Sequence, residues 1–555
     1  MASQASAAQS TVAPTKLVVD VSNTSKESRA AVTQAVDRHP MAKSTKRSFQ
    51  ANVLWIDRAL PIQRFYLQRM GSNRRMYQRT NRFFGMGDRL AKCGLATAVR
   101  THYNFVHNGR KGNPAGFIAP FFPATFCVPE DEGVAEQAAA GNSDKWYIVK
   151  PSLGRCGRGM LLAKSLKSAL EGWRNEETMD YGTSGGDLKP VSKAYVAKEG
   201  GEEMKGPFPA IIQEYIPQPM LFGGTGRKFD LRIYVVVTDM QGTLEAAVYT
   251  EGLVRCCCLP YETPSAKNAR TPHIHLTNSK INPSASEGTA EDSPAEVYKG
   301  LLSEWLSGLG ATRANGSENV APSANVSEGI DTGAGSVGLT EASFWEQVHT
   351  IVSETLLAIQ PTTNLLYDTC FGTMDRESGE PSRSFQTVGF DVMADEAGKV
   401  WLLEVNNNPS LNLDTDVDKT IKLPLLEGIL NVLSYGLEAG LARSNGEGTD
   451  RFALVRPNPA ALERLNRIRK TYNKACGWYD GGKKPMKDTP MPKQTRERLQ
   501  EALGDNGKGA EGKYYDTLES FTNAVVRMRD QMADEEVEAE RTLMEKLGAL
   551  LVADR

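Results

Sequence analysis

The chain has 555 residues, of which 40% are hydrophobic and 24% are charged. These fractions are typical of globular proteins and exclude a fibrous or wholly disordered chain. No run of about 18 consecutive apolar residues predicts a membrane span, and the amino-terminal residues lack the apolar core of a signal peptide. The eight cysteines form no CxxC pair, so neither a zinc module nor a disulfide framework is expected, and a reducing cytosol is the default location.

The net charge of −2 averages two basic segments with an acidic remainder. Residues 43–111 contain fifteen Lys and Arg against two acids, interleaved with aromatic residues that would let the segment fold. Residues 451–500 contain thirteen Lys and Arg against four acids. This segregation predicts an acidic partner. A polyanion could bind nonspecifically, but no recognised nucleic-acid motif is present, so neither a specific nucleic acid nor a membrane is expected as a partner.

Composition also divides the chain into segments. Residues 1–40 lack sustained periodicity and are expected to form a disordered arm, followed by a basic domain over 41–110. Residues 283–340 are expected to be a disordered insertion, because their second half has no aromatic residue. Residues 441–555 begin with a basic stretch. An interrupted apolar stripe from Phe521 onward then predicts a terminal helix that pairs within the chain or with a partner.

Strands and helices are mixed along the middle of the chain. Short apolar runs bounded by Gly or Pro predict strands at 147–151, 209–216 and 230–238, and two strands over 244–261 about a turn at Glu251 and Gly252. Apolar residues at helical spacing predict a helix over 341–360. The mixture predicts an α+β or α/β fold.

A glycine-rich turn follows the first of these strands. Lys150 ends the strand, and KPSLGRCGRG then carries Arg158 among three glycines. A flexible turn of this kind lets backbone N–H groups approach phosphate oxygens, while a basic side chain adds positive charge. The sequence matches no complete phosphate-binding motif, so an ordinary β-turn is an alternative.

Three charged residues alternate at the start of an apolar strand. In GRKFDLRIYVVVT, Lys228, Asp230 and Arg232 lie on one side of the strand. Inward-facing charges are costly unless they are paired or hold a ligand, so the pattern predicts a ligand site. The alternative is a solvent-facing edge strand with an ion pair to Asp230.

Two carboxylates face each other across a predicted hairpin. Asp391 lies in SFQTVGFDVMAD and Glu404 in KVWLLEVN, with DEAGK between the strands. Asn406 follows Glu404 by two residues and so shares its face. This all-oxygen set suits Mg²⁺, which bridges nucleotide phosphates. A hydrogen-bonded pair without a metal is the alternative.

A further polar segment is HIHLTNSKIN. Its residues His275, Thr277 and Asn278 could orient a ribose or a phosphate, although a lone histidine is more often structural. The cysteine triplet 256–258 is expected to pack as small apolar side chains on a strand.

Taken in order, KPSLGRCGRG, QEYIPQPMLFGGTGRKFDLRIYVVVT, YTEGLVR, HLTN and VGFDVMADEAGKVWLLEVNNNPSL resemble the tubulin tyrosine ligase-like family of the ATP-grasp superfamily. The resemblance runs from about Asn81 to Leu430, without the insertion. It implies an ATP-grasp fold with a small amino-terminal domain, a central domain over 111–226 and a carboxy-terminal domain over 227–440. The nucleotide would lie between the last two domains.

The resemblance also implies roles for single residues. Those expected to bind ATP are Lys150, Arg158, Gln213, Glu214, Tyr215, Ile216, Lys228, Asp230, Arg232, His275, Thr277 and Asn278. Those expected to bind Mg²⁺ are Asp391, Glu404 and Asn406. Those expected to act in catalysis are Arg255, Lys228, Arg232 and Glu404. Arg255 would hold an acyl-phosphate or a substrate carboxylate, and Lys92 in LAKCGL is a candidate for an early lysine of the family.

The implied reaction joins a carboxylate of tubulin to the amine of a free amino acid, with ATP consumed through an acyl-phosphate. The stretch LLEVNNNPSLNLDTDVDKTIKLPLLEGIL resembles the glutamylases, so glutamate is the expected amino acid. Ligation of glycine or tyrosine is the alternative, and a non-catalytic microtubule adaptor is a further one. The expected location of this monomer is the cytoplasm and cytoskeleton, with the ciliary or flagellar axoneme and the basal body as candidates.

Overall fold

A computed structural model describes much of the chain between residues 14 and 463. The described residues are 14–57, 78–83, 85–106, 114–141, 144–152, 157, 159–177, 207–240, 244–278, 281–282, 299–311, 338–371, 381–445, 451–457, 459 and 461–463. Arg158 and the helix predicted from Phe521 onward lie outside these ranges.

The amino-terminal residues form a small parallel sheet in the order β2-β1-β3-β4 with one helix beside it. Its elements are β1 (Leu17–Asn23), α1 (Lys26–Arg38), β2 (Ala42–Thr45), β3 (Val53–Ile56) and β4 (Arg79–Thr80). The prediction of a disordered arm over 1–40 is therefore wrong for residues 14–40, the part that the structure describes. Leu17, Val19 and Val21 are buried in a shared core, and the Ser25 side chain caps α1, so tertiary packing stabilises a segment whose own periodicity is weak.

A four-stranded antiparallel sheet in the order β5-β8-β6-β7 forms the middle of the molecule. Its elements, with the helices that precede and cover it, are α2 (Met86–Arg89), α3 (Lys92–Val106), β5 (Thr125–Val128), α4 (Glu132–Ala139), β6 (Tyr147–Pro151), β7 (Leu161–Ala163), α5 (Leu166–Arg174) and β8 (Ala210–Glu214). The strands predicted at 147–151 and 209–216 are confirmed. In β6, Tyr147 and Val149 pack in the core with α4 and α5, so Ile148 and Lys150 face the other way.

A seven-stranded antiparallel sheet forms the largest layer, in the order β12-β11-β10-β13-β14, with β9 paired to β10 and β15 paired to β11. Its strands are β9 (Leu221–Phe222), β10 (Arg227–Asp239), β11 (Glu245–Cys256), β12 (Lys299–Leu301), β13 (Gln386–Ala394), β14 (Val400–Asn406) and β15 (Phe452–Leu454). Its helices are α6 (Pro272–His275), α7 (Leu302–Ala311), α8 (Glu341–Phe371), α9 (Asp416–Tyr435) and α10 (Leu437–Ser444). The predicted hairpin and the predicted helix from 341 are confirmed. No helix among the described residues is long and apolar enough to cross a membrane.

Strand β10 runs through the centre of this sheet and presents different residues to its two faces. Leu231 and Ile233 belong to the core shared with α3 and α8, whereas Tyr234 and Val236 belong to the core shared with α9 and the amino-terminal sheet. The charged residues Lys228, Asp230 and Arg232 lie on the same face of β10 as Tyr234, because an even number of positions separates each of them from it. All three are buried. The alternative interpretation, a solvent-facing edge strand, is therefore wrong, because β10 has a partner strand on each side.

The turn predicted at Glu251 and Gly252 is also wrong, since β11 is continuous from Glu245 to Cys256. Its register with β10 shifts between the Gly252 pair and the Val248 pair. A Cβ atom on Gly252 would lie 2.4 Å from the backbone oxygen of Arg232. This glycine therefore permits a close approach of two backbones at an irregularity instead of marking a turn.

The prediction that residues 283–340 form a disordered insertion is wrong for the part that the structure describes. The described residues 299–311 add β12 to the edge of the large sheet and continue into α7. Trp305 of α7 is fully buried against Phe229 and Phe344, and these aromatic contacts fix the segment in the core. The aromatic-free stretch 312–337 lies outside the described residues. Past residue 440, strand β15 likewise joins the main sheet, with Phe452 packed on Tyr249.

Candidate active site

A cleft opens between the four-stranded sheet and the seven-stranded sheet. It is lined by Pro123, Ile148, Lys150, Met160, Gln213, Glu214, Tyr215, Ile216, Lys228, Asp230, His275, Leu276, Thr277, Asn278, Asp391, Met393, Leu403 and Glu404. Most residues predicted to bind nucleotide or metal are therefore brought together in one cleft, although they come from segments up to about 250 positions apart.

Two buried lysines point into the cleft. The Lys150 ammonium donates to Oε1 of Gln213 at 2.7 Å, and the Lys228 ammonium donates to the Tyr215 hydroxyl at 2.9 Å. Both of these acceptors are neutral. Burial lowers the pKa of each lysine to about 8, an effect that nearby Glu404 partly opposes at Lys150 and that the charge of Lys150 strengthens at Lys228. Two buried cations with neutral partners form a site that favours an anion.

A network of ion pairs lies behind the lysines. Arg232 donates from Nε and a terminal nitrogen to the two carboxylate oxygens of Asp391, the second contact being 2.8 Å. Arg255 donates to both oxygens of Asp230 at 2.7 Å and reaches Asp391 at 2.9 Å. The Thr277 hydroxyl donates to Asp230 at 2.7 Å. Each buried charge in this row is thus paired, and the side chains are held in fixed positions.

Lys92, the candidate early lysine, also reaches the site. It is the first residue of α3, and its ammonium lies 3.2 Å from a carboxylate oxygen of Glu404. With this pair included, the site holds the cations Lys92, Lys150, Lys228, Arg232 and Arg255 and the anions Asp230, Asp391 and Glu404. The cluster therefore has two positive charges in excess, which matches the two lysines with neutral partners.

A β-bulge in β14 orients Glu404, one of the carboxylates predicted to bind metal. Asp391 pairs with Glu404 and Val392 with Leu402, so Leu403 is the additional residue in β14. Strict alternation would turn Glu404 away from Leu403, yet both line the cleft. The bulge allows an apolar wall residue and a carboxylate to occupy the same face of one strand, a re-aiming that bulges commonly produce next to functional sites.

Several apolar residues of the cleft were missed from the sequence. Ile148 and Met160 lie on the side of the four-stranded sheet, while Met393 and Leu403 lie on the side of the hairpin. Two of them could have been found by alternation, because Ile148 precedes Lys150 by two residues and Met393 follows Asp391 by two. Such an apolar slot beside a cationic end suits a ligand with a flat apolar part and a polyanionic part.

Tyr215 and His275 form the wall next to Lys228. The Tyr215 hydroxyl lies 3.0 Å from Nδ1 of His275, and since it accepts a hydrogen bond from Lys228 it can donate its own proton to that nitrogen. Burial, followed by the positive charge of Lys228, lowers the pKa of His275 to about 4. His275 is therefore neutral near pH 7 and acts as an acceptor that orients Tyr215.

The donor chemistry of the hairpin fits a hard divalent cation. Burial alone would raise the pKa of Asp391, but Arg232 and Arg255 lower it to about 2, so this carboxylate is ionised. Its two oxygens accept three hydrogen bonds from the arginines and keep capacity for a further contact. Glu404 lies opposite it on β14 and also lines the cleft. Asp391 and Glu404 are thus suited to hold Mg²⁺ together.

Three other predicted residues have different surroundings. Oδ1 of Asn406 accepts the backbone N–H of Asn408 at 3.0 Å, so its amide oxygen is already engaged. Arg232 and Arg255 lie behind the cleft wall, where their guanidinium groups bind Asp391 and Asp230. In this arrangement the arginines orient carboxylates, and their predicted contacts with phosphate or substrate remain predictions.

The fold and the cleft define a protein with a mixed sheet-and-helix architecture and a cationic site between two sheets. Residues 71–300 and 314–439 match the tubulin-tyrosine ligase family, and together they make up more than half of the chain. The chain belongs to this family, as its motifs had suggested.

Several curated relatives are named tubulin polyglutamylases. The chain is 28% identical over 421 residues to tubulin polyglutamylase TTLL6 of Mus musculus, covering 76% of this chain and 40% of that protein. It is 28% identical over 380 residues to TTLL6 of Homo sapiens, covering 68% and 33% respectively. It is 26% identical over 390 residues to tubulin polyglutamylase TTLL13 of Mus musculus, covering 69% and 37%. The chain thus spans about two-fifths of the length of these relatives or less.

Proposed function

We propose that this chain is an ATP-dependent ligase that adds glutamate to carboxylates of tubulin tails, with an ATP-grasp arrangement in which the cleft is the nucleotide site. The observation that carries the proposal is the pair of buried lysines with neutral partners beside two facing carboxylates. A buried excess of positive charge next to a set of hard oxygen ligands is complementary to a magnesium-bound polyphosphate. Relatives named as tubulin polyglutamylases support the choice of tubulin and glutamate.

The residues of the cleft would have different roles in binding ATP and Mg²⁺. Ile148, Met160 and Leu403 would enclose the base, while Lys150 and Lys228 would hold phosphate oxygens. Asp391 and Glu404 would hold Mg²⁺. When bound, ATP would supply the phosphoryl group that activates an acceptor carboxylate, and Mg²⁺ would offset the negative charge of the phosphates. ADP would leave as the carboxylate takes up the phosphoryl group. The amine of glutamate would then attack the activated carboxyl carbon, lose a proton and displace inorganic phosphate, leaving an amide bond.

Two parts of the proposal concern setting and specificity. A ligase that acts on tubulin would work on the cytoskeleton, including axonemes and basal bodies. Glycine and tyrosine are the competing amino acids, and a microtubule adaptor without catalysis is the competing class. Two buried lysines with neutral partners favour an enzyme over an adaptor, since unused buried charges are costly to keep.

The test is transfer of labelled amino acids to tubulin by the purified full chain with ATP and Mg²⁺. We expect incorporation of glutamate and little of glycine or tyrosine. Glu404→Gln should reduce transfer by at least a hundredfold, because the amide cannot supply the negative charge that a metal requires. The variant should remain folded, since a glutamine oxygen can still accept from Lys92.

Glu396→Gln is the matched control, because Glu396 lies exposed in the turn of the same hairpin. It should retain wild-type transfer. Full transfer by Glu404→Gln would refute the metal assignment. Absence of transfer by the wild-type chain with any of the three amino acids, together with intact microtubule binding, would favour the adaptor.

A further inference from the structure

Lys299 lies outside the nucleotide cleft, in line with Asp230, which lines the cleft, and Arg255, which lies behind the cleft wall. In the large sheet Asp230 of β10 is directly opposite Arg255 of β11, and Arg255 is directly opposite Lys299 of β12. Directly opposed residues of antiparallel strands have Cβ atoms about 5 Å apart and face the same side. The charged row of the cleft therefore continues across the sheet and ends at Lys299.

A buried carboxylate on α9 holds Lys299 in place. Asp418 is completely buried, and one of its oxygens lies 2.5 Å from the Lys299 ammonium while the other lies 2.7 Å from the Lys422 ammonium. The Thr415 hydroxyl donates to the same carboxylate at 2.8 Å. Two ammonium groups share one carboxylate, so the cluster of Lys299, Asp418 and Lys422 has one positive charge in excess.

The excess charge is accessible at Lys299. Lys422 is 3% exposed and donates to the backbone carbonyl of Asn412 at 2.6 Å, so it is enclosed. The side chain of Lys299 is 23% exposed. An ammonium group has three donors, and the contact with Asp418 uses one of them. Lys299 can therefore bind an anion while Asp418 keeps it oriented.

The position of this cation suits one part of an amino acid substrate. In the large sheet, Lys299 on β12 and the carboxylates of β13 and β14 lie on opposite sides of β10. Leu403, which would enclose the base, lies on β14. The side of β12 is therefore open to the amine that completes the proposed reaction. Glutamate differs from glycine by a side-chain carboxylate, whose recognition requires a fixed cation. We propose that Lys299, positioned by Asp418, binds the side-chain carboxylate of the incoming glutamate and determines the choice of glutamate. This inference rests on the proposed function and extends it.

The test is a steady-state comparison of the full chain with Lys299→Met and Lys299→Arg. For Lys299→Met we expect the KM for glutamate to rise about ten- to a hundredfold, the loss of one charge-assisted hydrogen bond, with little change in the KM for ATP. The ratio of glutamate to glycine transfer should fall accordingly. Lys299→Arg should recover part of the affinity. Lys419→Met is the matched control, because Lys419 is an exposed lysine of α9 that pairs with Asp416.

Each other outcome overturns the inference. An unchanged KM for glutamate in Lys299→Met excludes the contact. A raised KM for tubulin instead of glutamate assigns the lysine to the acceptor carboxylate. Parallel rises in the KM for ATP and glutamate with a lowered Tm indicate a structural role through Asp418. Absence of glutamate transfer by the wild-type chain refutes the proposed function itself, which separates that failure from a failure at Lys299.

Discussion

The two buried lysines make the cleft an anion site whose strength depends on pH. An exposed lysine has a pKa near 10.4, whereas burial lowers the pKa of Lys150 and Lys228 to about 8. Between about pH 8 and pH 10.4 the unfolded chain binds more protons at these positions than the folded chain does. The destabilising contribution of the two lysines is therefore full below pH 8 and disappears as the pH rises to 10.4. A bound polyphosphate would offset the cost of burying these lysines, because it stabilises their charged form.

We predict that the affinity for a non-hydrolysable ATP analogue falls as the pH rises through 8. At pH 9 about one tenth of each lysine keeps its proton, so the dissociation constant should rise between roughly tenfold and a hundredfold from its value at pH 7. Isothermal titration calorimetry in buffers of different ionisation enthalpy measures both the affinity and the protons taken up on binding.

Two variants separate this effect from general surface charge. Lys150→Met should bind weakly and show a shallower pH dependence, because one of the two titrating groups is gone. Lys164→Met, at an exposed position, should behave like the wild-type chain. An affinity that is constant from pH 7 to pH 9 would contradict the assignment of the lysines to phosphate.

At the residue scale, alternation predicted the shared face of Lys228, Asp230 and Arg232, and the hairpin predicted that Asp391 faces Glu404. The pair between Lys92 and Glu404 could not be predicted from local patterns, because 312 positions separate the residues and only the folded arrangement brings them together. The bulge at Leu403 could not be predicted from the sequence for a related reason. An irregularity of one residue depends on the register with the partner strand, which a single strand does not encode.

At the scale of elements, the site depends on close packing between strand β13 and the arginine of β10. Gly389 lies on β13 two residues before Asp391. A Cβ atom at this position would be 2.7 Å from Cδ of Arg232 and 3.2 Å from Cβ of Pro409. Arg232 cannot withdraw easily, because its guanidinium is bound to both oxygens of Asp391. A side chain at 389 must therefore disturb that ion pair.

We predict that Gly389→Ala destabilises the protein by about 1–3 kcal/mol, as overpacking of a buried site commonly does. It should also reduce ligase activity at least tenfold, because Asp391 loses its orientation. Chemical denaturation and the transfer assay measure the two effects. Gly133→Ala is the control, since nothing lies within 4 Å of its Cβ position on α4. The control should be neutral or slightly stabilising. Equal stability of the two variants would contradict the packing argument.

The elements that a local pattern specifies were predicted, and those that depend on distant partners were not. Strands β6, β8, β10, β13 and β14 and the start of α8 have strong patterns of their own. The amino-terminal strand β1 has a weaker one and is stabilised by burial of Val19 in the core shared with α9. Strand β12 has three residues, too few for a period, and forms because β11 offers it an edge. Gly252 was taken for a turn because glycine serves both turns and close backbone contacts.

At the scale of the whole molecule, the basic character of residues 43–111 is divided between interior and surface. Lys92 pairs with Glu404 in the site, and Arg100 binds both oxygens of Asp131 at 2.6 and 3.0 Å. These cations are paired with carboxylates and are buried or half-buried. Lys43, Lys46 and Arg47, in contrast, are exposed on β2 and the residues after it. Part of the predicted attraction to an acidic partner is thus located on this outer edge of the amino-terminal sheet.

We predict that exchange of Lys43, Lys46 and Arg47 for glutamate weakens binding to microtubules several-fold at about 50 mM salt and much less at 300 mM, because exposed charges are screened beyond a few ångströms at high ionic strength. The affinity for the ATP analogue should not change, since the three residues do not line the cleft. Co-sedimentation with microtubules whose acidic tails are intact or removed by protease measures the effect. The exchange of three exposed lysines elsewhere, Lys164, Lys167 and Lys267, for glutamate changes the net charge equally and is the control. Equal weakening by both sets of exchanges would show that total charge acts alone, and persistence of the effect on tail-free microtubules would assign the contact to the tubulin body.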